Sequence, residues 1–189
     1  PKLREMIETY STVHKKIYIM THFVHSRELT EPAANSVHLL QKAGAMIANQ
    51  TPLIKGLNDN PHVLADLLGK LSYIGAAPYY IFQCRPSLGN KPYTVPIEEG
   101  YHIVKQAKTL VSGLAKRLRF VMSHSTGKIE IIGITKNRVY FKYHRAADDA
   151  DSGRFLILKR NPRAYWLDDY EEVIREYAVD LPYRSYGPD

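Results

Sequence analysis

Hydrophobic and polar positions follow two periods along this chain. Leu3, Met6, Ile7 and Tyr10 recur at helical spacing and predict a helix over Leu3–Thr12, after which Lys15–Phe23 reads as a short, mostly apolar strand. Thr30 followed by Glu31, Pro32 and Ala33 is a helix-start signal, and Val37, Leu39, Leu40 and Ala43 give the buried face of a helix that Gly44 closes. A strand, Ala45–Thr51, follows at once and runs into Pro52 and the turn residues Gly56-Leu57-Asn58-Asp59. Pro61 opens a third helix, with Val63, Leu64, Leu67, Leu68 and Leu71 on one face and Gly75 at its end. Ala77–Cys84 is the next strand, and a fourth helix spans Pro96–Ser112 before Gly113. Short connections between alternating helices and strands require parallel strands and right-handed crossovers, so three parallel strands are expected, with ligands at their carboxyl ends.

From Leu114 the pattern changes. Ile129–Ile134 and Arg138–His144 alternate around Thr135-Lys136-Asn137, and Arg154–Lys159 follows the polar Asp148–Gly153 loop, which predicts an antiparallel β meander. Asp168–Glu176, with Val173, Ile174 and Tyr177, reads as a terminal helix, and Asp180–Asp189 as irregular. The chain therefore divides into an α/β part, residues 1–113, and a meander-bearing part, residues 114–189.

Composition narrows the function. With 189 residues and 44% hydrophobic content the chain can bury a core. The net charge of +7 suggests nucleic acid, but the Lys and Arg residues are scattered, and the basic, aromatic Arg138–Arg145 is better explained as a half-buried strand than as a stacking platform. One cysteine, Cys84, excludes an internal disulfide and a cysteine-rich metal cluster. His22, His25, His124 and His144 show no metal-ligand spacing, so no metal site is expected. No apolar run approaches a membrane span and no signal pattern opens the chain, which reads as cytoplasmic; the opening Pro1-Lys2-Leu3 lacks an initiator Met and suggests a start within a longer protein or after processing.

The order of motifs carries a resemblance. Thr21-His22-Phe23-Val24-His25 at one strand end, Asn49-Gln50-Thr51-Pro52-Leu53-Ile54-Lys55-Gly56-Leu57-Asn58-Asp59 at the next, Pro78-Tyr79-Tyr80-Ile81-Phe82-Gln83-Cys84 at the third, then Val111-Ser112-Gly113 and Gly127-Lys128, resemble the second half of the lysine 2,3-aminomutase family. The resemblance covers about Ile17 to Gly133. It implies a radical S-adenosylmethionine (SAM) enzyme that also uses pyridoxal phosphate (PLP) to move an amino group between neighbouring carbons of an amino acid. It implies, too, that the parallel strands are the last three βα units of a partial (βα) barrel, with the meander and terminal helix as an extension.

By the same resemblance Lys128 is the catalytic residue that holds PLP as a Schiff base, and Gln50 and His22 face SAM. The family's [4Fe-4S] cluster is bound by three closely spaced cysteines upstream of this segment, and a chain whose sole cysteine is Cys84 lacks those ligands. The fragment alone is therefore expected to be inactive. Three parallel strands cannot close a barrel, so the missing N-terminal half or a second copy of the chain is expected as a partner.

Two departures bear on the substrate. Lysine-acting members place one aspartate after the third strand and another at the head of the loop before the PLP lysine, where the pair holds the substrate's distal ammonium; here these positions are Arg85 and Ser123. A guanidinium and a hydroxyl repel an ammonium and suit a carboxylate, so the resemblance implies an amino acid with an acidic side chain rather than lysine. The structural reading of Arg85 is an ion pair with Glu98 or Glu99. Asn58 and Asp59 are expected to fix the turn and cap the following helix. From a different functional class, a non-catalytic basic α/β module for nucleic acid or an anionic metabolite is the alternative.

Overall fold

Two of the helices begin where the sequence supplies a side-chain cap. In the computed structural model, which describes residues 2–170 and 173–177, α1 spans Lys2–Tyr10, α2 Glu31–Lys42, α3 Pro61–Tyr73 and α4 Ile97–Thr109. The Thr30 hydroxyl accepts the Ala33 N–H at 3.4 Å ahead of α2, and the Asn60 side chain accepts the His62 N–H at 2.9 Å ahead of α3. The strands are β1 (Tyr18–Thr21), β2 (Met46–Leu53), β3 (Ala77–Gln83), β4 (Arg119–His124), β5 (Gly127–Ile134), β6 (Arg138–Ala146), β7 (Phe155–Lys159) and β8 (Val173–Tyr177).

They form one sheet in chain order. β1 to β4 are mutually parallel, with α2, α3 and α4 as the crossovers, and β4 to β8 are antiparallel. Helices cover one face. The α3 leucines Leu64, Leu67, Leu68 and Leu71 are at most 1% exposed and join two clusters: one with α1, α2 and β2 (Ile7, Val37, Ile47), the other with α4 and the central strands (Ile97, Phe120, Ile129, Phe141). Gly100 lets α4 sit tightly here, since a Cβ would lie 2.9 Å from both Leu53 Cδ2 and Phe120 Cζ.

The α/β reading, the first three parallel strands and the meander hold, with three corrections. A fourth parallel strand, β4, lies beside β3 through the pairs Tyr80–Arg119, Ile81–Phe120 and Phe82–Val121. Its apolar run Phe120-Val121-Met122 is buried on both faces and shows no alternation. The expected helix over Asp168–Glu176 is instead a 3-10 turn, Leu167–Asp169, followed by β8 on the edge of β7. The spacing of Val173, Ile174 and Tyr177 suits either structure, and the β-branched pair beside an open edge favours pairing. Leu39, assigned to the buried face of α2, is 47% exposed. The irregular Asp180–Asp189 lies outside the described residues. Among the described residues no helix is long and apolar enough to cross a membrane.

Candidate functional site

The face of the sheet opposite the helices gathers the polar strand tips. Cross-strand partners share a face, and Gln50 pairs with Tyr80, Tyr80 with Arg119, Phe82 with Val121, Val121 with Glu130 and Ser123 with Lys128. All these residues therefore stand on the helix-free side. His22 follows the end of β1, and its Nε2 lies 2.8 Å from Gln50 Nε2, one ring nitrogen serving as the acceptor for the amide N–H.

Two buried asparagines hold that corner. Asn49, 1% exposed, accepts from Thr21 Oγ1 and the Phe23 N–H, both at 2.8 Å, and donates to the Phe23 carbonyl at 3.0 Å. Asn58, fully buried, accepts the Ile54 N–H at 2.7 Å and donates to the Val24 and Pro52 carbonyls at 2.9 Å. The turn role expected of Asn58 is thus observed, and it reaches back to the segment after β1; the capping of α3 expected of Asn58 and Asp59 falls instead to Asn60, the residue next to Pro61.

Lys128 extends from β5 across the same face. Its Nζ lies 4.5 Å from the centroid of the Tyr80 ring and 5.2 Å from that of Phe82, within cation–π range. Tyr80 is the strand partner of Gln50, so the amine and the Gln50–His22 pair share one surface. Lys128 is half-buried and forms no ion pair among the described residues. Gly127 sets its height: with φ +140°, it lies so close to β6 that a Cβ would strike the Arg145 carbonyl oxygen and sit 2.8 Å from Ala146 Cα.

Around Tyr80 the sheet adds groups that the sequence pattern did not single out. Arg119 Nη1 lies 3.1 Å from His144 Nε2 and 3.2 Å from its Nδ1, and Arg119 Nε lies 3.5 Å from Glu130 Oε2. Burial first, and the Arg119 charge second, hold His144 below the ordinary imidazole range. Burial, then the hydrogen bond with Tyr79, pushes the Tyr80 phenol up to about 12, so it stays a proton donor. Arg119 escaped notice because β4 itself did, and His144 because its place depends on the register shift in β5–β6 between Lys128 and Ile129.

Arg85 and Ser123 stand beyond the paired ends of adjacent strands: Ser123 two residues past Val121, Arg85 three past its partner Phe82. Both are exposed. The ion pair of Arg85 with Glu98 does not form, because Glu98, 3% exposed, is taken by Arg160 at 2.6 and 2.9 Å; no ion pair of Arg85 with Glu99 is present among the described residues either. Cys84 is half-buried, its thiol donates to the Leu53 carbonyl at 3.2 Å, and burial raises its pKa. Among the described residues no three His, Cys, Asp or Glu are grouped to hold a metal ion.

No family model matches the chain. Over 182 residues it is 53% identical to a protein of Aquifex aeolicus named "Putative L-lysine 2,3-aminomutase", covering 96% of this chain and 49% of that protein. Over 113 residues it is 37% identical to the L-lysine 2,3-aminomutase of Clostridium subterminale, covering 60% of this chain and 26% of that one. Over 99 residues it is 33% identical to the glutamate 2,3-aminomutase of Clostridioides difficile, covering 52% and 24% respectively. The chain spans about half the length of the Aquifex relative.

Proposed function

The chain belongs to the lysine 2,3-aminomutase family, where it corresponds to the C-terminal half, and we propose that it is the PLP-carrying half of an amino acid 2,3-aminomutase acting on a substrate with an acidic side chain. The observation that carries this reading is the Lys128 amine lying over Tyr80, on the surface that also bears Gln50 and His22.

The residues fit PLP. An amine that captures an aldehyde must be reachable and free of a carboxylate clamp, and Lys128 meets both conditions among the described residues. PLP, when bound, supplies an electron-accepting ring that stabilises charge or an unpaired electron next to the amino nitrogen. Tyr80 and Phe82 offer a flat apolar floor beneath the amine, and the Tyr80 phenol keeps its proton at neutral pH. Gln50 and His22 supply polar contacts for SAM, exchanging their mutual hydrogen bond for bonds to the ligand.

An iron–sulfur cluster does not fit this chain. Three thiolates are needed, and the one cysteine is committed to a backbone carbonyl. By the family resemblance, cluster ligands would have to come from outside this chain, so the 189-residue piece is expected to be inactive alone. The helix-free face that would meet that part exposes Tyr18, Met20, Met46 and Tyr79, and the outer edge of β1 pairs with nothing among the described residues.

Arg85 carries the substrate preference. Exposed at the mouth and unpaired among the described residues, it is available to a carboxylate, with the Ser123 hydroxyl as a second donor. The test is turnover by the full-length protein. Glutamate or aspartate is expected to undergo the 2,3-amino shift faster than lysine, and Lys128→Ala to abolish the shift on all of them. Faster turnover of lysine overturns the substrate assignment; full activity in Lys128→Ala overturns the whole reading.

A further inference from the structure

The hairpin that presents Lys128 is held from behind by a segment forty residues further along, through His124. β4 ends at His124 and β5 begins at Gly127, so Ser125 and Thr126 make the turn. The His124 side chain is 7% exposed. Its Nδ1 lies 3.2 Å from the Thr126 backbone N and 2.7 Å from Thr126 Oγ1. A backbone N–H only donates, so Nδ1 is an acceptor and, in the neutral ring, the proton resides on Nε2. That Nε2–H donates to Asp168 Oδ1 at 3.1 Å. Tyr143 OH lies 2.8 Å from Thr126 Oγ1. With the threonine proton turned to Nδ1, donation runs one way: Tyr143 to Thr126, Thr126 to His124, His124 to Asp168.

Asp168 stands on an ordered strap. The Asp169 carboxylate accepts the Tyr165 and Trp166 N–H groups at 2.7 and 3.0 Å, Asn161 Nδ2 donates to the Asp169 carbonyl at 2.9 Å, and Gln83 Nε2 donates to the Tyr165 carbonyl at 3.0 Å. Trp166, 8% exposed, lies against the His124 ring with centroids 6.0 Å apart. The strap thus ties the end of β3 to the β4–β5 turn. On the other side of that turn the Ala147 N–H donates to the Thr126 carbonyl at 2.8 Å.

We propose that His124, clasped by Asp168, is a positioning residue that fixes the Ser125-Thr126 turn and so holds the Lys128 amine over Tyr80. What the amine is for rests on the proposed PLP role; the clasp does not. A side chain serving only the core would be replaced without effect on the turn by any ring that packs on Trp166. A clasp needs both nitrogens and their partners.

The experiment compares His124→Phe, Asp168→Ala and Asp168→Asn in the 189-residue chain. Amide hydrogen exchange across residues 124–128 and the rate of Lys128 acylation by an amine reagent are measured without cofactor; borohydride trapping of added PLP on Lys128 is measured separately. Phe at 124 keeps the packing and loses the hydrogen bonds at both ring nitrogens, whereas Asn at 168 keeps an acceptor for Nε2–H. His124→Phe and Asp168→Ala are expected to speed exchange at the turn about tenfold and to alter Lys128 acylation, while the other strands exchange as before and Asp168→Asn stays near the parent. Unchanged exchange at the turn in both disruptive variants overturns the proposal, as does a uniform rise across the sheet, which marks core packing alone. If exchange responds as expected but PLP is trapped in neither parent nor variants, the clasp stands and the cofactor reading falls.

Discussion

Single residues decide the height, the charge and the protonation of this site. Gly127 has a positive φ and a neighbouring backbone that a Cβ would strike, so Gly127→Ala is expected to cost about 1–3 kcal/mol and to displace Lys128, read as a lower urea midpoint together with weaker PLP uptake. Arg85 is exposed and unpaired among the described residues. In the full-length protein Arg85→Gln is expected to lower kcat/KM for an acidic amino acid by about 10- to 150-fold, the equivalent of a charge-assisted hydrogen bond worth about 1.5–3 kcal/mol; an unchanged value contradicts its role. His144, held low by burial and Arg119, takes up its proton at a lower pH folded than unfolded. The unfolded chain then binds more protons between that lowered value and about 6.5, so stability is fully present above this window and lost as pH falls through it. Replacing His144 by Asn should flatten the dependence of the urea midpoint on pH below about 6.5. Of these residues, Arg85 and the glycine before Lys128 were legible in the sequence, through their places in a motif. His144 and Arg119 were not, since they stand 25 residues apart on β6 and β4, and what makes them neighbours is the pairing of both strands with β5 and its irregular register.

At the scale of elements, α3 links the two apolar clusters. Leu67 and Leu71 are fully buried, and Leu67→Ala or Leu71→Ala is expected to cost about 2–5 kcal/mol, measured by chemical denaturation; a change below about 1 kcal/mol would contradict this packing. These helices were readable because a start signal, a 3.6-residue stripe and a closing glycine agree at each: Thr30 and Gly44 bracket α2, Pro61 and Gly75 bracket α3, although the α3 cap is Asn60. β4 was not readable, since a strand covered on both sides has no alternation to display. At the end of the described chain, three apolar residues satisfy helical and extended spacing alike, and the free edge of β7 decided between them. The Lys128 hairpin shows the same limit. Gly127-Lys128 stood out as a dipeptide, whereas the His124–Asp168 clasp joins residues 44 apart and has no local signature.

As a whole, the molecule is a sheet with one face clothed by helices and the other free of them, covered at Tyr80 and Val121 but exposed toward β1. Four parallel strands end at an edge that is unpaired among the described residues, beside exposed Tyr18, Met20 and Met46, a surface that a longer chain or a second copy would cover. The 21.6 kDa piece is expected to sediment as a self-associated species, and Met20→Lys with Met46→Lys to shift it toward monomer; a monodisperse monomer of the parent would contradict this. The central claim is narrower than the assembly: the strand tips and one amine converge on a single cofactor surface. It is tested most directly by reducing the PLP-loaded protein with borohydride and mapping the adduct by mass spectrometry. A phosphopyridoxyl group on the peptide containing Lys128, absent when Gln50 and His22 are left intact but Lys128 is replaced by Ala, is the expected result. An adduct on other lysines alone, or none at all, contradicts it.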